Sequence, residues 1–163
     1  MAELYNDWFQ RGADFHYVSS SPWQLHAPLL DLQTSGGFPR GTIHLRNFQL
    51  RNHVVQRALM IRRHGKSTSI KSLLQAFPQR KFILIGDSGE KDPEIYQKFA
   101  RRFPEQIKGI FIRDLNSRPL ASERIQKLSR AIGRERFGTF TTSSELVELA
   151  EPLIDKHANA AAV

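Results

Sequence analysis

The sequence predicts an α/β fold, with a mostly parallel sheet and helices on both faces. Three observations carry that prediction. Short β-rich runs alternate with segments of helical spacing along the chain. Two of the runs, "KFILIGD" and "IKGIFIRD", are continuously apolar, as strands covered on both faces are. No internal repeat and no interdomain linker interrupts the 163 residues, a length that suffices for one domain with its own core.

The elements follow in order. "AELYNDWFQ" sets Leu4, Trp8 and Phe9 on one helical face, and Gly12 ends it. "DFHYVSS" is an aromatic and β-branched strand. "SPWQLHAPLLDLQ" opens a helix, with Ser21 as N-cap, Pro22 at the first helical position and Pro28 as a bend. "SGGFPRG" is a loop and "GTIHLRNF" an alternating strand. "HVVQRALMIRR" and "STSIKSLLQAF" are helical by spacing. "KFILIGD" is a buried strand, and "DPEIYQKFARRF" is a helix with Asp92 as cap and Pro93 at its first position. "IKGIFIRD" is a second buried strand, "ASERIQKLSRAI" a helix, "FGTFT" a short strand and "SSELVELAEPLID" the last long helix. The domain is expected over residues 1–157, with 158–163 a disordered tail.

Composition narrows the function classes. Hydrophobic residues at 40% and charged residues at 25% are those of a globular protein. The absence of cysteine excludes disulfides, thiolate nucleophiles and cysteine metal sites, and it fits a reducing compartment. No apolar run approaches a membrane span, and "MAELYNDWF" is no signal peptide. A cytoplasmic location, peripheral at membranes, is therefore expected. The net charge of +8 is uneven: between Asp31 and Asp87 there is no acid, while ten basic residues, Arg46 and Lys66 among them, fall there. Such a block repels itself unless it meets an anion, whether nucleic acid, a phosphorylated substrate or an anionic lipid surface. A solvated basic face balanced by acids of the C-terminal third is the plainer alternative. Nucleic acid is not expected, because no recognition motif is present and the aromatic residues fall in strands and apolar helix faces.

In open α/β sheets, ligands bind beyond the carboxyl ends of the strands. Ser19, Ser20 and Ser21 follow one strand; Asp87, Ser88 and, across a turn, Asp92 follow another; Arg113 and Asp114 follow a third. All are expected at one rim. Two carboxylates past a buried strand repel unless a cation joins them, and magnesium takes one or two carboxylates with water and phosphate oxygens. The alternative is that Asp92 only caps its helix and Asp87 only shapes a turn. Serine hydroxyls and backbone N–H groups before a helix N-terminus suit a phosphate; Ser21 reads as a plain cap, while for Ser19 and Ser20 the phosphate reading is preferred to a polar turn. Lys66 opens a helix, where a cation is unfavourable for the helix dipole, so either a phosphoryl oxygen or carboxylate draws it there or it is solvated.

The blocks "FHYVSSSPWQL", "GFPRGTIHLRNF" and "FILIGDSGEKDPEIY" resemble the catalytic domain of the actin-patch phosphatidate phosphatase family, within the haloacid-dehalogenase-like superfamily. The resemblance runs from Met1 to "GIFIRDL" and more loosely onward. It implies a Rossmann-like three-layer sandwich and magnesium-dependent conversion of phosphatidate to diacylglycerol and phosphate. It also implies phosphoryl binding by Ser19 and Ser20, charge neutralisation by Lys66, magnesium at Asp87 and Asp92, and substrate contacts from Arg46 and Ser88. Its implied partners are phosphatidate or an anionic membrane surface, and cortical actin-patch proteins.

One part of the family pattern is missing. The superfamily nucleophile is an aspartate in a DxDxT motif ending the first strand, before the segment similar to "MAELYNDW". The 163 residues hold no such motif. The expectation is a domain lacking its first, nucleophile-bearing strand, inactive alone, whose flanking strands either close up or leave open edges prone to pairing. The alternative is a catalytically dead module that binds an anionic membrane or a protein partner.

Overall fold

The computed structural model describes residues 1–46, 65–115 and 122–158. Strands and helices alternate as expected: α1 (Ala2–Gln10), β1 (Phe15–Pro22), a 3-10 turn (Trp23–Leu25), α2 (His26–Ser35), β2 (Gly41–Arg46), α3 (Gly65–Ala76), β3 (Phe82–Asp87), α4 (Asp92–Arg102), β4 (Ile107–Arg113), α5 (Ser122–Ile132), β5 (Phe137–Phe140) and α6 (Ser143–Ala158). Every pairing is parallel: β1 with β2 in one sheet, and β3–β4–β5 in another. The architecture is α/β and Rossmann-like, as predicted. The segment "HVVQRALMIRR" and the last five residues lie outside the described residues. The chain groups into two units, Met1–Ala76 and Phe77–Val163.

In the first unit, parallel pairing of β1 with β2 requires a crossover, and the Trp23–Ser35 segment supplies it. The third helix, α3, packs on both strands and buries Ile70, Leu73 and Leu74. Trp8 is the buried residue of α1, at 3% exposure. Tyr5 stacks on it at 5.7 Å and meets Phe15 at 5.2 Å. The helix stops where Gly12 takes a φ of 91°, a value that disfavours any side chain.

In the second unit, β4 is the central strand, and Ile107, Ile110 and Ile112 are fully buried. The face carrying Gly109 and Gly138 lies against Leu153 and Leu149 of α6. The opposite face includes Gly86, which sits beside Asp92 of α4, so helices cover both faces. Arg124 of α5 donates two hydrogen bonds of 2.7 Å to Glu94 of α4, tying these helices together. Glu145 accepts from the backbone N–H of Thr141 while Thr142 Oγ1 accepts from that of Glu145, a box-like cap that starts α6.

Several local expectations are corrected. Ser21 is not an N-cap and Pro22 does not open a helix; β1 runs through both. Proline restricts the residue before it to extended backbone, which carries the strand past Ser21. Pro28 does not bend a helix, because α2 starts only at His26 and the proline falls in the first turn, where N–H groups have no intrahelical partner. Asp92 is the first helical residue rather than the cap, a position taken by Lys91. Strand β3 is half-buried throughout rather than fully buried; among the described residues it pairs only with β4. Strand β1 belongs to the two-stranded sheet and β3 to the three-stranded one.

An unforeseen feature is a histidine pair. His16 Nδ1 and His44 Nε2 are 3.3 Å apart across β1 and β2. Burial holds both below the ordinary histidine value; His16 lowers His44 further, while Asp14 pulls His16 upward. With folded values depressed, the unfolded chain binds more protons as pH falls below about 6.5. The stabilisation is thus complete above that pH and is lost as pH falls through the lowered folded values. Thermal unfolding midpoints should drop between pH 7 and pH 5, and His44→Gln should flatten that part of the curve.

Candidate functional site

The first unit gathers four of the expected site residues around strand ends. The ladder of β1 and β2 pairs Val18 with His44 and then Pro22 with Arg46. Ser19, Ser20 and Ser21 therefore stand opposite Leu45 alone. This is a bulge, a device that re-aims side chains and terminates pairing near sites. Ser19 Oγ donates to Ser21 Oγ at 3.0 Å and accepts from the Ser21 backbone N–H at 3.1 Å, so the serines hold one another in a tight polar turn. No spacing rule could reveal this bulge, although three serines in a row were its only sequence signal.

Arg46 ends β2, and Lys66 lies in the first turn of α3. A side-chain carbon at Gly65 would stand 3.4 Å from Arg46 Cγ and Cδ, so the arginine stem packs directly on the residue before Lys66. Lys66 is buried at 9% exposure, which removes the solvated-lysine alternative. Two cations are thus brought to the start of one helix, in the unit that also carries the serine bulge. Concentrated positive charge at such a position favours a bound anion, and the helix N-terminus adds its own N–H groups.

The second unit holds Asp87, Ser88 and Asp92. Asp87 ends β3, and its Oδ1 accepts from Gly89 N at 2.8 Å, closing an Asx-type turn. Asp92 is 2% exposed, and its Oδ2 accepts from Asp87 N at 3.4 Å. Gly86 makes this approach possible: a side-chain carbon there would lie 2.7 Å from Asp92 Cβ. Tyr96, one turn further along α4, donates to Ile85 O at 3.1 Å and fixes the helix start against the strand end. Ser88 is buried, donating its N–H to Arg113 O and accepting at Oγ from Leu115 N, both at 2.9 Å. It ties the loop to the end of β4. Gly86, Tyr96 and Leu115 were not singled out in the sequence; only a glycine before the aspartate hinted at close packing.

The two carboxylates suit a hard divalent cation in number and chemistry, since magnesium takes one or two carboxylates and completes its shell with water and phosphate oxygens. Among the described residues, no group of three or more His, Asp or Glu forms a fuller metal cage. Arg113 is exposed and Asp114 half-buried at the end of β4.

A family model described as the catalytic domain of phosphatidate phosphatase APP1 matches residues 1–114. An uncharacterized protein of Schizosaccharomyces pombe is 34% identical over 160 residues, 92% of this chain and 26% of that protein. Phosphatidate phosphatase APP1 of Saccharomyces cerevisiae is 40% identical over 100 residues, 61% of this chain and 16% of that protein. The chain thus spans about a quarter or less of these relatives' lengths. No solved structure matches.

Replacing Gly86 by Ala forces a methyl group onto Asp92. It should cost about 1–3 kcal/mol, the usual range for overpacking a tight site. Denaturant unfolding of Gly86→Ala against the parent chain measures this.

Proposed function

Because the chain belongs to the family of phosphatidate phosphatase APP1 catalytic domains, we propose that it is the phosphate- and metal-binding part of a magnesium-dependent phosphatidate phosphatase. The observation that carries this reading is Lys66, buried in the first turn of α3 with Arg46 packed on its neighbour Gly65. A lysine in the first turn of a helix, with an arginine stem packed on the residue before it, suits a doubly charged phosphomonoester.

Roles are assigned residue by residue. Lys66 and Arg46 bind phosphoryl oxygens and lower the charge on the phosphate. Ser19 and Ser20 donate hydroxyl or backbone hydrogen bonds from the bulge. Asp87 and Asp92 hold the magnesium ion, which when bound would supply charge neutralisation at the phosphoryl group. Gly86 and Tyr96 set the Asp92 carboxylate in place, and Ser88 holds the loop that carries Asp87, within reach of a substrate oxygen only if its link to Leu115 is exchanged.

No DxDxT motif lies within the 163 residues. Hydrolysis by the superfamily route requires an aspartate nucleophile and an aspartate general acid/base, so both must come from outside these residues. A second reading rests on the same fact: a module that keeps the phosphate-binding residues and docks on an anionic membrane or a protein partner without turnover. A DxDxT reading frame in the genomic sequence directly upstream supports the enzyme; its absence there supports the module.

The purified 163-residue chain should release no phosphate from phosphatidate in the presence of magnesium. Measured turnover by this chain would overturn the missing-nucleophile reading. In a longer chain that includes the motif and is active, Lys66→Ala should lower kcat by about 10²–10³, as loss of a transition-state charge partner does.

A further inference from the structure

We propose that His16 and His44 form a site for a divalent metal ion of the zinc, nickel or copper class, separate from the carboxylate pair of the second unit. The site stands on strand geometry and ligand chemistry, and it does not depend on the phosphatase reading.

His44 pairs with Val18 across the β1–β2 ladder, and His16 stands two residues before Val18. Side chains alternate along a strand, so both histidines stand on one face of the two-stranded sheet. They meet through their nitrogen edges. His16 Nδ1 and His44 Nε2 are 3.3 Å apart, while the ring centroids are 5.4 Å apart and the planes are tilted by 46°. Zinc binds imidazole nitrogen at about 2.0–2.1 Å in tetrahedral geometry, which sets two ligand nitrogens about 3.3–3.4 Å from each other. The observed separation is that of two ligands on one ion. A ring-to-ring hydrogen bond joins the same atoms in the metal-free protein, at a length past the usual N–H···O range of about 2.7–3.2 Å.

Protonation suits the ligand role, since a metal takes neutral imidazole at a nitrogen that carries no proton. Burial holds both rings below the ordinary histidine value, so both are neutral at pH 7. In the hydrogen-bonded pair one of the two facing nitrogens carries a proton. When the ion binds, that ring exchanges it for a proton on its other nitrogen. Both facing lone pairs are then available, and no net proton is released. Asp14, just before β1, acts on His16 as a negative charge and favours a cation here.

The donor set selects the ion. Imidazole suits zinc, copper and nickel, whereas magnesium takes oxygen ligands. Among the described residues no third His, Asp or Glu joins the pair, so water completes the coordination. His44 lines a cleft of about 460 Å³ with Trp23, Ile43, Leu45 and Ser69, which gives that water room and the ion a path of entry. Ser19 lies three residues beyond His16, and Arg46 two residues beyond His44. A bound ion therefore braces β1 to β2 just before the ends that carry the serine bulge and Arg46.

The test is a calorimetric titration of the tag-free 163-residue chain with zinc in buffer that contains magnesium. It should show one site that magnesium does not displace. His16→Gln and His44→Gln should each weaken that site by about 100-fold or more, since loss of even an outer-shell partner costs about 10–100-fold. His26→Gln and Asp87→Asn should leave it unchanged. Nitrogen-detected NMR of the parent chain requires no variant to fold: zinc should move the resonances of His16 Nδ1 and His44 Nε2 and leave those of His26 in place. A folded parent chain that takes up no zinc overturns the proposal, as does uptake retained by both glutamine variants or a zinc response confined to other histidines. Zinc that is displaced by excess magnesium, or lost in Asp87→Asn, sits on the carboxylates and overturns it too.

Discussion

Parallel pairing is the constraint on which the arrangement of each unit depends. Two parallel strands cannot be joined by a tight turn, so each connection must cross back over the sheet before the next strand begins. Within a unit, every strand then ends on the same side as its partner, and the following helix begins there. Chemistry-bearing residues need not be distant in sequence to be displaced, nor near to be gathered. Arg46 packs on Gly65, the residue before Lys66, because β2 ends where α3 starts. Asp87 and Asp92 meet because β3 ends where α4 starts.

The order of strands and helices was legible because it depends on local periodicity, which the sequence displays directly. The blocks around Ser19, Asp87 and Asp92 were legible because their residue types stand at strand ends. What was not legible depends on packing between segments. The bulge exists only relative to β2, and nothing within "VSSSP" reveals that three residues face one. Burial of β3 was overstated because a continuous apolar run looks the same in a central strand, such as β4, and in an outer one. The cap of α4 was misplaced by one residue because Asp92 turns its carboxylate toward the strand end, a tertiary demand that overrides its capping tendency.

The distribution of exposure carries a second lesson. A lysine was expected to be solvated unless something held it, and it is buried. Trp23, Leu25, Leu30 and Leu32, by contrast, are exposed. Both fall in the first unit.

The close contact between Gly86 and Asp92 has an evolutionary consequence. A lineage that retains the aspartate side chain in its place cannot enlarge residue 86, whatever becomes of catalysis. Glycine at this position therefore records packing, and its persistence among relatives carries no information about turnover. Substitutions at the two positions should arise together, with the aspartate shortened or lost wherever the glycine has gained a side chain. Ser19 is under no such steric tie, so drift there, with Gly86 and Asp92 unchanged, would be the earlier mark of a domain that had kept its shape and abandoned its reaction.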